Sequence, residues 1–417
     1  MELLNIIAIL ITLAAVFSYF NYRFIGLPTT IGVMVIALVA SVFVIIAGAL
    51  GVQSVHYAKD LVQSIDFTDT LMQGMLSFLL FAGSLHVNIN DLARQKWVIL
   101  GLATGGVLVS TFLVGGATWF ILLWLEIPLP FIYCLLFGAL ISPTDPIAVM
   151  GILKTAGAPK SLEIKIAGES LFNDGVAVVV FLVILGIAAG GHEISAGEVG
   201  LLFLKEAVGG ALFGVLMGYI GYLMLRSIDQ YQVEVMITLA IVMGGYALAS
   251  AMHLSGPLAM VAAGLLIGNH GRLLAMSDKT REHIDQTWHL IDEVLNTVLF
   301  LLIGLEVLAL KLSGAAFIAA MLMIPAVLLA RFISVGTLVS VLRLVREFSP
   351  GVVKILTWGG LRGGISVALV LSIPAGTERN LMLTLTYVVV VFSILVQGMT
   401  IERLVRRTKG LNRVTPT

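Results

Sequence analysis

Residues 130–151 read PFIYCLLFGALISPTDPIAVMG, apolar almost throughout, with a single charge, Asp145, held between Pro143 and Pro146. The stretch is long enough to cross a bilayer, which takes about 20 mostly apolar residues. A proline cannot donate to the carbonyl four residues back, so Pro143 and Pro146 orphan the carbonyls of Ala139 and Ser142. The residues before them, Ser142 and Asp145, are pushed away from helical geometry. Irregular backbone at membrane depth survives only where protein buries it or where it lines a cavity. The stretch therefore predicts a membrane helix broken near its middle. The freed carbonyls, the Thr144 hydroxyl and the Asp145 carboxylate form a hard-oxygen set suited to a small cation. The plainer alternative is a proline kink with Asp145 capping the second half-helix.

The rest of the chain agrees with a membrane setting. Of its 417 residues 59% are hydrophobic and 12% charged, and the mean hydropathy is +1.06. Soluble domains carry about 25% charged residues, so a soluble globular enzyme is excluded. With 24 basic and 24 acidic residues there is no basic excess, and no nucleic-acid partner is expected. The lone Cys134 provides no disulfide framework.

Apolar stretches of spanning character lie at 3–20, 27–49, 68–86, 97–125, 130–151, 165–189, 200–225, 232–252, 255–269, 289–310, 314–341, 352–373 and 381–402, about 13 transmembrane helices in all. The stretch at 97–125 is long enough to tilt. The first lacks a positive n-region and reads as a retained helix rather than a cleaved signal. Of the 24 basic residues, 18 then fall on one side, four (Lys59, Lys205, Lys311 and Arg379) on the other, and Arg331 and Arg362 within spans. By the positive-inside rule the N-terminus is outside and the C-terminus cytoplasmic. The longest aqueous segments, about 50–67 and 270–288, are too short to fold alone. Residues 1–402 thus make one transmembrane domain, and 403–417 a short basic tail suited to lipid headgroups.

Charges inside hydrocarbon are costly and mark functional sites by default. Five lie well inside: Asp145, Glu169, Asp174, Arg331 and Arg362; Glu234 and Glu306 are nearer span ends, from which they could reach water. If these five only glued helices together as ion pairs, the excess acid would be unnecessary; an acid left over wants a proton or a cation. In Gly168-Glu169-Ser170-Leu171-Phe172-Asn173-Asp174-Gly175, Ser170 and Asp174 share one helix face and Glu169 and Asn173 the next. A packing helix has no use for so many polar groups in lipid. In Trp358-Gly359-Gly360-Leu361-Arg362-Gly363-Gly364, four glycines weaken the helix around one arginine; a small-residue packing face is the alternative. The two broken spans are seven apart and run in opposite directions, the placement produced by an inverted repeat, about 1–189 and 232–402. Arg331 has no acid beside it in sequence and needs a carboxylate from another helix.

Together the Ser-Pro-Thr-Asp-Pro, Glu-Ser-Leu-Phe-Asn-Asp-Gly and Gly-Gly-Leu-Arg-Gly-Gly motifs, in order across residues 142–364, resemble the sodium/proton exchanger family in its NhaP-like branch. The resemblance implies an all-α homodimer in the plasma membrane, not an enzyme and without a cofactor, whose core crosses two broken helices. It implies that Asp174 carries proton and cation in turn and that Asp145, Thr144 and Ser170 complete the Na⁺ or Li⁺ site. It implies a buried Glu169–Arg331 pair, and a structural charge, Arg362, in the second break. Relatives with two aspartates at 173–174 are electrogenic, so Asn173 implies one proton per monovalent cation. Related exchangers often carry an acid in the third span, where this chain reads Phe81-Ala82-Gly83-Ser84-Leu85-His86. His86, at the end of that span, reads as an ordinary helix-end histidine. K⁺/H⁺ antiport is the alternative function. A cation channel would use rings of charge in an oligomeric pore, which two different broken helices in one chain do not suit. An aspartyl intramembrane protease would use Asp145 with Asp174, but the surrounding Thr144, Ser170 and Asn173 suit ion coordination better.

Overall fold

The computed structural model describes residues 3–50, 75–145, 149–150, 153, 158–190, 196–272, 275–310, 313–344, 348 and 351–412. Pro146 therefore lies outside the described residues. The described residues are overwhelmingly helical, with one isolated antiparallel backbone bridge, Asp145 to Leu361.

In chain order the helices are α1 Leu3–Phe20, α2 Thr29–Ala49, α3 Leu76–Leu85, α4 Ile89–Leu100, α5 Val107–Trp124, α6 Phe131–Ile141, α7 Lys160–Ala188 and α8 Ala196–Arg226. There follow α9 Tyr231–Ala251, α10 Gly256–Leu266, α11 Asp278–Leu305, α12 Gly314–Leu342, α13 Val352–Trp358, α14 Gly364–Leu371, α15 Thr377–Phe392 and α16 Gly398–Asn412. Each of the apolar stretches predicted from sequence contains helix. Among the described residues eight helices are long and apolar enough to cross a membrane, while Leu76–Leu85 and Phe131–Ile141 are shorter apolar helices.

Several boundaries differ from the hydropathy reading, for physical reasons. A π-helical turn, Gly101–Gly106, joins α4 to α5, so Ile89–Trp124 is one rod of 36 residues. At 1.5 Å per residue that is roughly 54 Å, well beyond the hydrocarbon thickness. Much of the aqueous segment expected at 270–288 is the start of α11, where Ser277 caps the helix by accepting from the Thr280 N–H. The last helix, α16, runs past 402, so most of the basic tail is helical. Glu234 is fully buried and accepts a hydrogen bond from Thr280, and Glu306 is 8% exposed. Their places near span ends left them able to reach water; neighbouring helices cover them.

The buried apolar side chains form two groups. One is built mainly from α3, α9, α10 and the first half of α11, around Trp288, with Leu92 and Ile99 of α4, Leu171 of α7 and Leu225 of α8. The Trp288 ring lies 4.6 Å from Phe81, and its indole N–H donates to Thr238 at 3.0 Å. The other runs through α1, α2, α5 to α7, the second half of α11, and α12 to α16. Between the helices of a membrane bundle, small residues permit the close approach that packing energy needs. Gly214 and Gly218 of α8 face Ala259 and Ala263 of α10, where an added Cβ on Gly218 would stand 3.0 Å from the Ala263 Cα.

Candidate functional site

Helix α6 ends at Ile141 because Pro143 cannot continue it. Its last turn tightens: the Ser142 N–H donates to Ala139 at 3.4 Å, and the Ser142 hydroxyl takes the Gly138 carbonyl at 2.6 Å. Helix α13 ends likewise at Trp358, whose carbonyl accepts from the Gln397 amide at 3.0 Å. Beyond Gly359 the chain leaves the helix, bridges through Leu361 and is extended at Gly363, and α14 starts at Gly364. The two interruptions meet. The Asp145 N–H donates to the Leu361 carbonyl at 2.8 Å, and the Arg362 N–H donates to Ser393 Oγ at 2.9 Å.

Arg362 is the clasp between the breaks. Its guanidinium donates to the Ser142 carbonyl at 2.5 Å and to the Pro143 carbonyl at 2.8 Å. These carbonyls sit at the C-terminal end of α6, the negative end of the helix dipole, where a cation is favoured. The glycines flanking Arg362 allow the contact. A Cβ on Gly363 would stand 2.7 Å from the Asp145 Cβ, and one on Gly360 would be 3.0 Å from both Arg331 Nε and Thr144 Cγ2. Overpacking of this kind costs about 1–3 kcal/mol. Gly363→Ala is therefore expected to lower transport roughly tenfold or more. Gly186→Ala, whose Cβ meets open space, should leave transport unchanged in the same flux assay. Arg362→Met leaves two buried carbonyls without a donor, at about 1–3 kcal/mol each. It is expected to lower the unfolding temperature of the detergent-solubilised protein relative to the unsubstituted chain.

Against this crossing lies α7, unbroken through the site. Ser170 donates its hydroxyl to the Thr144 carbonyl, and the Asn173 amide donates to Thr144 Oγ1 at 2.9 Å. Asp174, 8% exposed, is on the same wall as Asp145. One turn away, Glu169 Oε1 lies 2.5 Å from Arg331 Nη1 of α12, with both side chains buried. Arg331 also reaches the Leu356 carbonyl at 3.4 Å. The structure thus brings Thr144, Asp145, Ser170, Asn173 and Asp174 together, sets Glu169 and Arg331 beside them, and spends Arg362 on the α6 carbonyls. Of the two carbonyls counted in sequence among the cation ligands, that of Ser142 is already engaged by Arg362 and that of Ala139 by the Ser142 N–H. Asp145 and Asp174 both border open space.

That space is a cavity of about 660 Å³. Thr144, Asp145, Ser170 and Asp174 line it from the break and α7; Leu76, Leu80 and Gly83 line it from α3, and His289 and Asp292 from α11. His86 sits at its margin, 40% exposed and 3.8 Å from Asp285. Two carboxylates facing an open cavity, beside buried arginines engaged by Glu169 and by the α6 carbonyls, make an arrangement that can take up a proton or a small cation.

The profile of the transmembrane sodium/hydrogen exchanger family matches residues 9–407. The chain belongs to the sodium/hydrogen exchanger family. It is 53% identical over 410 residues to the Na⁺/H⁺ antiporter NhaP of Pseudomonas aeruginosa, covering 97% of each chain. It is 35% identical over 378 residues to the Na⁺/H⁺ antiporter NhaH of Halobacillus dabanensis, covering 87% of this chain and 90% of that one. The fold matches the sodium proton antiporter MjNhaP1 of Methanocaldococcus jannaschii, with a TM-score of 0.74 at 20% identity over 98% of this chain and 100% of that one.

For a sodium/hydrogen exchanger, the supporting contacts were the least legible part of the sequence. Ser393 and Gln397, which hold the second break, stand four apart in an apolar run within a π-helical turn, Ser393–Gln397. Their spacing puts them near one face, a signal that was present. Nothing local marked Asn173 as the donor to Thr144 or the α6 carbonyls as the partners of Arg362.

Proposed function

We propose that this protein is a secondary antiporter exchanging Na⁺ or Li⁺ for H⁺, with Asp174 as the shared carrier of cation and proton. The observation that carries the reading is the pair of carboxylates, Asp145 at the crossed breaks and Asp174 on α7, facing one cavity. The names of the relatives support it.

Two like charges on one cavity wall repel each other and favour neutralisation by whichever positive species is present. A proton and a cation then compete for Asp174, with Asp145, Thr144 and Ser170 around the cation. Competition couples the two fluxes. A naked carboxylate is expensive to move through the barrier, so the core shifts readily only when loaded. Alternating access is a rocking of the bundle holding the breaks against the remaining helices, within a plasma-membrane homodimer. With the N-terminus outside, the His86 end of α3 and the Asp278 end of α11 are cytoplasmic, and the cavity opens towards that side. Asn173 donates to Thr144 through an N–H that a carboxylate lacks; it adds no charge, which suits a one-for-one exchange.

Purified protein in liposomes with a preset pH gradient and a pH-sensitive dye tests this. Na⁺ or Li⁺ should collapse the gradient, with no effect of a potassium–valinomycin clamp on the voltage. Strong voltage dependence would overturn the one-for-one stoichiometry, and a response to K⁺ alone would make the protein a K⁺/H⁺ antiporter. Silence towards all three cations would overturn the reading.

A further inference from the structure

The cavity wall holds a third carboxylate that the exchange site does not use. Asp292, on α11, lines the same space as Asp145 and Asp174. Asn296, one turn along α11, hydrogen-bonds Asp292. It is 2% exposed, and its Oδ1 has no hydrogen-bond partner. Helix α14 packs against α11 and contributes Ser366, which also lines the cavity. Ser366 is 1% exposed, and its hydroxyl has no partner either. A buried polar group left unmade costs about 1–3 kcal/mol, and native proteins leave few of them. Asn296 adjoins the carboxylate and Ser366 lines the cavity that the carboxylate faces; two such atoms on a packed pair of helices point to an occupant.

The chemistry of the atoms selects that occupant. Asp292 and Asn296 Oδ1 are acceptors, and the Ser366 oxygen has lone pairs to offer. An oxygen set of this kind with one negative charge suits a monovalent cation and its remaining waters, and it repels an anion. Leu76, Leu80 and Gly83 of α3 bring no charge to the cavity, while His86 at the end of α3 and His289 of α11 also line it and face the cation as the titratable neighbours.

We propose that Asp292, Asn296 Oδ1 and Ser366 Oγ form an entry station, where a monovalent cation waits in the cavity before reaching Asp145 and Asp174. The proposal rests on the antiport reading. The station concentrates cation at the mouth and takes no part in the proton exchange at Asp174.

The first test is the cation dependence of flux in liposomes. Loss of binding before the transport step raises KM and spares the maximal rate. Asp292→Asn is expected to raise the KM for Na⁺ about fivefold with the maximal rate kept, Ser366→Ala to raise it about twofold, and Asp292→Glu to stay near the unsubstituted value. The second test is ²³Na NMR line broadening by the purified protein. Broadening should persist in Asp174→Asn and fall when Asp292→Asn is added to it. An unchanged KM in Asp292→Asn, a fall in maximal rate alone, or broadening indifferent to Asp292 in the Asp174→Asn background would each overturn the station. If Asp292→Asn fails to accumulate folded, an unchanged KM in Ser366→Ala overturns it. Absence of Na⁺- or Li⁺-driven proton movement in the unsubstituted protein would instead overturn the antiport reading, and the NMR comparison would still decide whether Asp292 holds a cation.

Discussion

Asp174→Asn is expected to abolish cation-driven proton movement while the protein still folds. The side chain sits on an unbroken helix, and asparagine has nearly the same shape, so packing around residue 174 is preserved. The contacts that fasten α7 to the first break come from Ser170 and Asn173, and neither uses Asp174. What the substitution removes is the charge that a proton or a cation neutralises. Without it neither ligand has a reason to bind, and the two fluxes lose their coupling. Size-exclusion elution at the unsubstituted position, combined with a flat dye trace on adding Na⁺ or Li⁺, is the expected result. Persistent Na⁺-driven proton movement in this variant would refute a site shared at Asp174.

The second large effect concerns the Glu169–Arg331 pair. Both side chains are buried, and the ions lie 2.5 Å apart. Removing one partner strands the other charge, at a cost of about 3–5 kcal/mol. Arg331→Ala or Glu169→Ala is therefore expected to lower the unfolding temperature sharply, or to prevent accumulation of folded protein. Replacing both by apolar residues of similar volume, Glu169→Leu with Arg331→Met, should restore much of the loss, because a well-packed apolar pair stands in for a buried ion pair at little cost. The informative quantity is the non-additivity, expected to exceed about 1 kcal/mol for residues in direct contact. Additive losses would mean that the two charges are stabilised separately, Arg331 by the Leu356 carbonyl and Glu169 by some other donor.

Much of the site was legible before any coordinates. Pro143 marked the first break because the loss of an N–H is a property of the residue itself. Four glycines around Arg362 marked the second, although the reason they are glycines, the approach of Asp145 to Gly363 and of Arg331 and Thr144 to Gly360, lies in a segment more than 180 residues away for the first. That Arg331 needed a buried carboxylate followed from its depth in an apolar span; that the carboxylate was Glu169 came from family resemblance and not from the residues. The apolar stretch at 289–310 marked only part of α11, because a helix that leaves the bilayer carries polar residues without ceasing to be a helix. The burial of Glu234 was not legible for a related reason: position near a span end does not say whether another helix covers it.

The sequence by itself determined the membrane setting, the positions of the apolar helices and the places where two of them break. These follow from composition and from prolines and glycines, whose effects are felt within a turn or two. Tertiary structure alone decided that the breaks satisfy each other, with Arg362 on the Ser142 and Pro143 carbonyls and Asp145 on Leu361. It also decided that Asp145, Asp174 and Asp292 share one cavity. A buried polar group fixes that it must have a partner, but which partner it meets depends on how distant helices pack.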